Sequence, residues 1–264
     1  MVLLAHLSDL HVDETDRAAR RVRRVMDHLR SLPRPVDAVL VTGDVTERGT
    51  EAEYARAAEL LHAAVPVLLC PGNHDERSAF RRFLLDGRAG RATCGDTGRE
   101  QAHAATETVG PINQVHRIGH SAIVLLDSTI PGSGEGVLTP ETLDWLDTTL
   151  ADLGRTTPVL LALHHPPVDL HHPLPDRYPL RERGALARLL IRHPEIVGVL
   201  GGHAHTAAVS TFVDRPVLLA PAVTWTLRMP WEGDDPADRT APPALAFHIL
   251  DENARLTTHF RVVP

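Results

Sequence analysis

Five short motifs rich in metal-binding side chains each follow an apolar run of strand length, and that repetition constrains the chain more than any other feature. They are Ser8-Asp9-Leu10-His11, Gly43-Asp44, Gly72-Asn73-His74-Asp75, His164-His165-Pro166-Pro167 and Gly202-His203-Ala204-His205. The runs before them cover residues 2–7, 36–42, 65–70, 158–163 and 196–200. Continuous apolar runs of this length read as strands buried on both faces. Open α/β sheets place their ligands at the carboxyl ends of such strands. Singly, most of the motifs are weak. A lone Asp-x-His after a strand is ordinarily a helix cap or a turn, and Gly-Asp is common turn chemistry. Taken together they are strong, because turn chemistry alone does not select Asp, Asn and His at five successive strand ends.

Between the runs lie helix-period segments. Residues 16–30 carry Val22, Val25, Met26 and Leu29 on one face. Residues 50–64 and 76–85 also read as helices, and Thr139-Pro140 supplies a cap and a first-turn proline for a helix to about residue 153. A further helix is expected near 183–192. The β-α-β-α-β order predicts parallel strands with right-handed crossovers. Gly119-His120 predicts a tight hairpin, and residues 86–110 an irregular surface loop or insertion. Strands near 209–213, 216–219, 244–250 and 256–262 read as antiparallel. The simplest summary is one compact domain over 1–264, with two packed sheets, flanking helices and a lid-like segment at about 221–243.

Composition bounds the partners. The 264 residues carry a formal net charge of −7, with 27 basic against 34 acidic residues. A mildly acidic chain is a poor binder of nucleic-acid polymers, whose affinity comes from clustered Lys and Arg. The basic run Arg17–Arg24 reads as a solvated helix face. Two cysteines, Cys70 and Cys94, make no disulfide framework and fit a reducing compartment. The apolar start lacks a basic n-region and a cleavage site, and no stretch approaches the ~20 apolar residues of a membrane span. A cytoplasmic protein with no membrane partner is expected. The 17 histidines are many for this length and point to where chemistry resides. Carboxylate, amide and imidazole ligands without thiolate suit manganese, iron, zinc or cobalt.

The ordered pattern D-x-H, G-D, G-N-H-D, H and G-H-x-H resembles the calcineurin-like metallophosphoesterase superfamily across residues 8–205, with no departure at a ligand position. That resemblance implies a four-layer α/β/β/α sandwich of two mixed sheets flanked by helices, with two divalent or mixed-valence metal ions, manganese and iron foremost. It implies that Asp9, His11 and His205 hold one ion, that Asn73, His164 and His203 hold the other, and that Asp44 bridges them. A hydroxide between two ions ~3.5–4 Å apart would attack phosphorus. His74 is then a catalytic group that protonates the leaving oxygen or stabilises its charge, with Asp75 orienting it. His74, Asn73 and His165 are expected to contact substrate.

Within the superfamily, the combination of G-N-H-D, L-H-H-P-P, G-H-A-H and the Leu125–Ser128 stretch resembles class III cyclic nucleotide phosphodiesterases. It implies a small phosphodiester substrate, such as a cyclic nucleotide, and a possible homodimer. A phosphomonoesterase or a glycerophosphodiester-type enzyme would use the same metals; a nuclease or a non-catalytic scaffold fits less well. His171, His172, Asp176, Arg177, Tyr178, Trp225 and Trp231 are candidates for the remaining substrate contacts. His171-His172 reads first as a solvated loop pair.

Overall fold

The computed structural model describes residues 1–86 and 110–264. The expected loop over 86–110 therefore lies, apart from its two end residues, outside the described residues, as does Cys94. In chain order the elements are β1 (Val2–Leu7), α1 (Asp16–Arg30), β2 (Ala38–Thr42), α2 (Glu51–Leu60), β3 (Val67–Cys70) and the short α3 (Arg77–Phe80). Then come β4 (Gln114–Ile118), β5 (Ser121–Leu126), β6 (Gly136–Val137), α4 (Pro140–Leu153), β7 (Val159–Leu163), β8 (Leu180–Arg181), α5 (Arg183–Arg192) and β9 (Ile196–Gly201). The chain ends through β10 (Ala208–Phe212), β11 (Arg215–Leu219), β12 (Thr226–Leu227), β13 (Ala237–Asp238), β14 (Ala244–Leu250) and β15 (Leu256–Val262).

The helices begin where the sequence signals them. Thr50 and Glu53 form a reciprocal capping box at α2, and Thr139 accepts from Thr142 N–H with Pro140 in the first turn of α4. The expected helix over 76–85 is shorter than read. It is regular only over Arg77–Phe80 and then widens into a π-helical turn, Arg81–Leu85.

Two large mixed sheets carry the fold. The first has the order β15-β14-β1-β2-β3, and the second β10-β11-β9-β7-β5-β4. Strands β1, β2 and β3 run parallel, as do β5, β7 and β9. The β4–β5 hairpin turns at Gly119-His120, with Ile118 opposite Ser121. One expectation needs correction: β11 is antiparallel only to β10 and joins β9 in parallel. The Pro216 segment thus extends the second sheet, where sequence alone grouped it with the antiparallel strands.

Three apolar layers alternate with the sheets and helices. Ala5, Leu7, Val39 and Val41 pack against Val22, Val25 and Met26 of α1 and Tyr54 of α2. Val124, Leu161 and Val199 pack against Leu146 of α4 and Leu189 of α5. Between the sheets, Val2, Leu4, Leu40, Leu68 and Cys70 meet Ile123, Leu125, Leu160 and Leu200. Strand alternation produces this, since successive residues point to opposite faces. Helix, sheet, sheet and helix are the four layers of the sandwich.

Two imidazoles interrupt the apolar layer between the sheets. His6 of β1 and His248 of β14 are buried, with His6 Nδ1 2.9 Å from His248 Nε2. Burial, with a smaller push from His248, holds the His6 pKa well below the ordinary histidine value; burial alone pushes His248 down to about 3. Both are neutral when folded and free to charge when unfolded. Stability is therefore full above about 6.5 and is lost as the pH falls below it. Between pH 7.5 and pH 5, His248 alone accounts for roughly 2 kcal/mol of that loss. Urea unfolding at the two pH values reads it, and His248→Gln should shrink the difference by about that amount.

Candidate metal centre

The five motifs converge at one place because both sheets aim the carboxyl ends of their parallel strands at it. Asp9 and His11 follow β1, Asp44 follows β2, Asn73 follows β3, His164 follows β7, and His203 and His205 follow β9. Five of these seven residues adopt left-handed backbone: Asp9 (φ 53°), His11 (42°), Asp44 (47°), His203 (67°) and His205 (51°). Non-glycine residues rarely do so, and such strain gathers at functional sites. The glycines of the motifs make room for the side chains. A Cβ on Gly43 would stand 2.5 Å from His164 Nδ1, and one on Gly72 2.2 Å from Asp44 Oδ1.

The side chains form two groups around Asp44. In the first, His11 Nε2 lies 3.1 Å from His205 Nε2 and 3.5 Å from Asp44 Oδ2, and His205 Nε2 lies 3.5 Å from Asp9 Oδ1. In the second, His164 Nε2 lies 3.1 Å from Asn73 Oδ1, 3.2 Å from His203 Nδ1 and 3.4 Å from Asp44 Oδ2. Asp44 Oδ2 is thus nearly equidistant from the two groups. Three histidines turn Nε2 inward because Nδ1–H is held elsewhere: His11 donates to Glu47 (2.7 Å), His164 to the Thr42 carbonyl (2.8 Å) and His205 to the Trp225 carbonyl (3.2 Å). Such outer bonds select the tautomer that leaves a lone pair for a cation.

The donor set fits a pair of cations. Among the described residues, both Asp9 oxygens are buried with no hydrogen-bond partner. A buried bare carboxylate is costly, and a metal ion is one of the few partners that can offset it. Burial, reinforced by Asp44, raises the Asp9 pKa. At His164 burial opposes charge, yet the adjacent Asp44 carboxylate outweighs it and lifts the pKa to about 9. Burial drives His205 well below its usual value, with His11 adding repulsion. Two carboxylates and four imidazoles in one pocket compete for too few protons, an imbalance that divalent ions would relieve.

Several expectations are corrected by this geometry. Asp75 does not orient His74. Its carboxylate accepts from the backbone N–H groups of Val45, Thr46 and Gly72 and from the hydroxyls of Thr46 and Tyr54. It locks the second and third motif loops together, and the His74 ring donates from Nδ1 to the Glu47 carbonyl at 2.8 Å. His165 is buried and does not face a substrate. Its Nδ1 accepts from Ser128 Oγ and its Nε2–H donates to the Gly134 carbonyl, so neither nitrogen is free. Those bonds also favour His164 over its neighbour as the ligand, although the ring nitrogens of His164, His165 and His203 lie within 4.8 Å of one another.

His172 is likewise no solvated loop residue. It is buried, accepts from Leu174 N–H and donates to the Arg228 carbonyl. The basic run on α1 is only partly a solvated face. Arg17 bonds the carbonyls of Thr224 and Arg239, and Arg21 those of Val223 and Ala241, so two turns of helix hold the C-terminal segment. Glu47 escaped the sequence reading altogether. It sits three residues beyond Asp44, and its bond to His11 spans 36 positions.

The centre opens into a cavity of about 750 Å³ lined by His11, Asp44, Asn73, His74, His203 and His205. Trp225, Tyr178, Arg17, Arg48 and Arg239 complete the wall. The Trp225 ring stacks on His205 at 3.9 Å and 31°.

Comparison with known proteins shows the family. The profile of the calcineurin-like phosphoesterase family matches residues 2–207. The chain belongs to that family. It is 32% identical to a 3′,5′-cyclic adenosine monophosphate phosphodiesterase of Pseudomonas aeruginosa, over 97% of this chain and 88% of that one. It is 28% identical to a glycerophosphodiester phosphodiesterase of Enterobacter lignolyticus, over 94% and 86% respectively. Its fold matches a dimetal phosphatase from Danio rerio with a TM-score of 0.70 at 16% identity, over 100% of this chain and 96% of that one. The chain is accordingly a metal-dependent phosphoesterase. Among the described residues no helix is long and apolar enough to cross a membrane.

Two variants separate ligand from catalyst. Asp44→Ala removes the carboxylate shared by both groups and should abolish bound metal and turnover together. His74→Ala should keep its metal, by elemental analysis, and lose about 10²- to 10⁴-fold in kcat. Glu47→Ala frees the His11 ring and should weaken metal binding about 10- to 100-fold in a chelator-buffered titration, without emptying the site.

Proposed function

We propose that this chain is a dinuclear-metal phosphodiesterase acting on a cyclic nucleotide, with manganese or iron as its ions, in the cytoplasm. The observation that carries the reading is the cavity itself. The metal groups share this cavity with Trp225, Tyr178 and three arginines, and the Trp225 ring packs directly against His205. Its volume lies within the range of small-ligand sites, and an aromatic wall suits a flat, polar-edged base better than a glycerol headgroup. The sequence likeness to a cyclic adenosine monophosphate phosphodiesterase supports the same choice.

Asp9, His11 and His205 would hold one ion and Asn73, His164 and His203 the other, with Asp44 between them. Bound ions would supply Lewis acidity at the phosphate and lower the pKa of a water. The remaining work belongs to the chain. Asp44 receives the His74 backbone N–H at 2.9 Å, which ties the catalytic loop to the shared ligand. The His74 ring is anchored through Nδ1–H, so only its imidazolium form carries a proton on Nε2 to hand to the departing alkoxide, and the ring is left neutral by the transfer. Asn73, which lines the cavity, orients the phosphoryl oxygens.

Thr224, Trp225, Leu227 and Arg239 of the 221–243 segment line the cavity. The segment is stitched to the core by Val223 N–H on the Ser8 carbonyl, Thr224 N–H on the Asp9 carbonyl and Leu227 N–H on the His205 carbonyl. Its wall residues therefore move with the metal ligands, and the lid role assigned to it is that of a fixed rim.

Glycerophosphodiester hydrolysis is the second reading, favoured by the Enterobacter relative. Purified chain with added Mn²⁺ should hydrolyse bis(p-nitrophenyl) phosphate and 3′,5′- or 2′,3′-cyclic AMP faster than p-nitrophenyl phosphate. A preference for glycerophosphoethanolamine over both cyclic nucleotides would move the assignment to the second reading. Turnover of the monoester alone would overturn both.

A further inference from the structure

The six hydrogen bonds around His6 and His248 admit one direction only. Ser8 Oγ lies 2.9 Å from the Thr42 carbonyl, which can only accept, so the Ser8 proton is spent there. Thr42 Oγ1, 3.0 Å from Ser8 Oγ, must then be the donor in that contact. With its own proton spent, Thr42 Oγ1 accepts from His6 Nε2–H at 2.8 Å. Neutral His6 then has a bare Nδ1, which accepts from His248 Nε2–H at 2.9 Å. The bare Nδ1 of His248 accepts from Thr258 Oγ1 at 2.8 Å. Every donor and acceptor is matched once, and both imidazoles are neutral. The chain starts on strand β15 and ends on the carbonyl that fixes His164 Nδ1 at 2.8 Å.

The geometry points to His6 and His248 as positioning residues for the metal centre, acting through Thr42 on the tautomer and aim of His164. A purely structural core would fill these inward-facing positions with aliphatics, as β1 and β2 do at Val2, Leu4, Ala38 and Leu40. Instead the row ends in His6 and Thr42, buried at 0% exposure, three and two residues before Asp9 and Asp44 respectively. A buried polar network is worth its desolvation only when every member is satisfied, and this one is. Its output is the Thr42 carbonyl. Removing the donors behind it frees the Thr42 and Ser8 hydroxyls to reorient, and the bond that presents His164 Nε2 loses its support. Outer partners of this kind govern metal affinity without touching the ion.

The inference rests on His164 being a ligand, as proposed above, and the two readings fail separately. The test titrates the chelated wild-type protein with Co²⁺ alone and follows the visible ligand-field spectrum. His6→Phe removes both links at similar volume. Thr258→Val removes only the far donor, on a half-exposed strand, and is the milder change. Leu40→Ala disturbs the same apolar layer without touching the chain of bonds. His6→Phe should weaken one of the two Co²⁺ sites about tenfold and alter its spectrum, Thr258→Val should do so to a smaller extent, and Leu40→Ala should leave the isotherm unchanged at lower stability. If His6→Phe does not fold, the Thr258→Val isotherm decides alone. Unchanged Co²⁺ binding in both His6→Phe and Thr258→Val, or an equal loss in Leu40→Ala, overturns the inference. A wild-type chain that takes up no Co²⁺ overturns the metal centre itself.

Discussion

Asp9 holds a carboxylate at 0% exposure, at the meeting of two sheets, with no hydrogen bond to either oxygen among the described residues. Leaving a charge in that state costs several kcal/mol unless a cation or a proton compensates. Much of the structure follows from this requirement. Asp44 adds a second buried acid within the same group, and its pKa stays well below the usual range, because the charge expected on His164 outweighs its burial. Four inward imidazoles complete a shell that is short of positive charge. The fold holds these groups together against their mutual repulsion through left-handed backbone at five of the seven candidate ligands, and the sheets on either side supply the rigidity to keep it there.

The outer bonds are as informative as the shell. Glu47, the Thr42 carbonyl and the Trp225 carbonyl each take one Nδ1–H, so three ring orientations are set by three different segments. Asp75 performs the same service for the loops, drawing five donors from around Val45, Gly72 and Tyr54 onto one carboxylate. Preorganisation of this sort keeps a dinuclear site from relaxing toward ordinary side-chain hydrogen bonding, in which the same histidines and aspartates would pair with one another.

The convergence of the candidate ligands was legible in the sequence because strand ends are local. An apolar run predicts its own strand, and the next few residues are bound to lie at its mouth. Asp9, His11, Asp44, Asn73, His164, His203 and His205 all follow that rule. What escaped was non-local. The Glu47–His11 bond crosses 36 residues, Arg17 and Arg21 meet carbonyls more than 200 residues away, and His6 meets His248 across 242 positions. His165 and Asp75 were misread for a related reason. Each belongs to a motif with chemical character, but its partners, Ser128 and Gly134 for one and Tyr54 for the other, come from segments with no motif at all. Periodicity located the layers, yet it could not tell that β11 adds to β9 in parallel, since that depends on the crossover after β9 and not on the strand's own pattern.

The charge lining the cavity explains why reaction class is easier to read than substrate. Arg17, Arg48 and Arg239 face Asp13, Asp44 and Glu47 around it, so the formal side-chain charges cancel. A phosphodiester anion gains no net attraction from such a wall, and the chain as a whole is negative. On the proposed reading, attraction for the anion comes from ions held by the seven candidate ligands, which makes substrate affinity and metal occupancy a single property. The arginines act locally and by geometry: Arg17 is already committed to two carbonyls, and Arg239 lies 6.0 Å over the Trp225 ring. On the same reading, selectivity among phosphodiesters falls to the shape and stacking of Trp225 and Tyr178, which line the cavity. Both stand on connecting segments outside the strand-end register that made the metal centre readable.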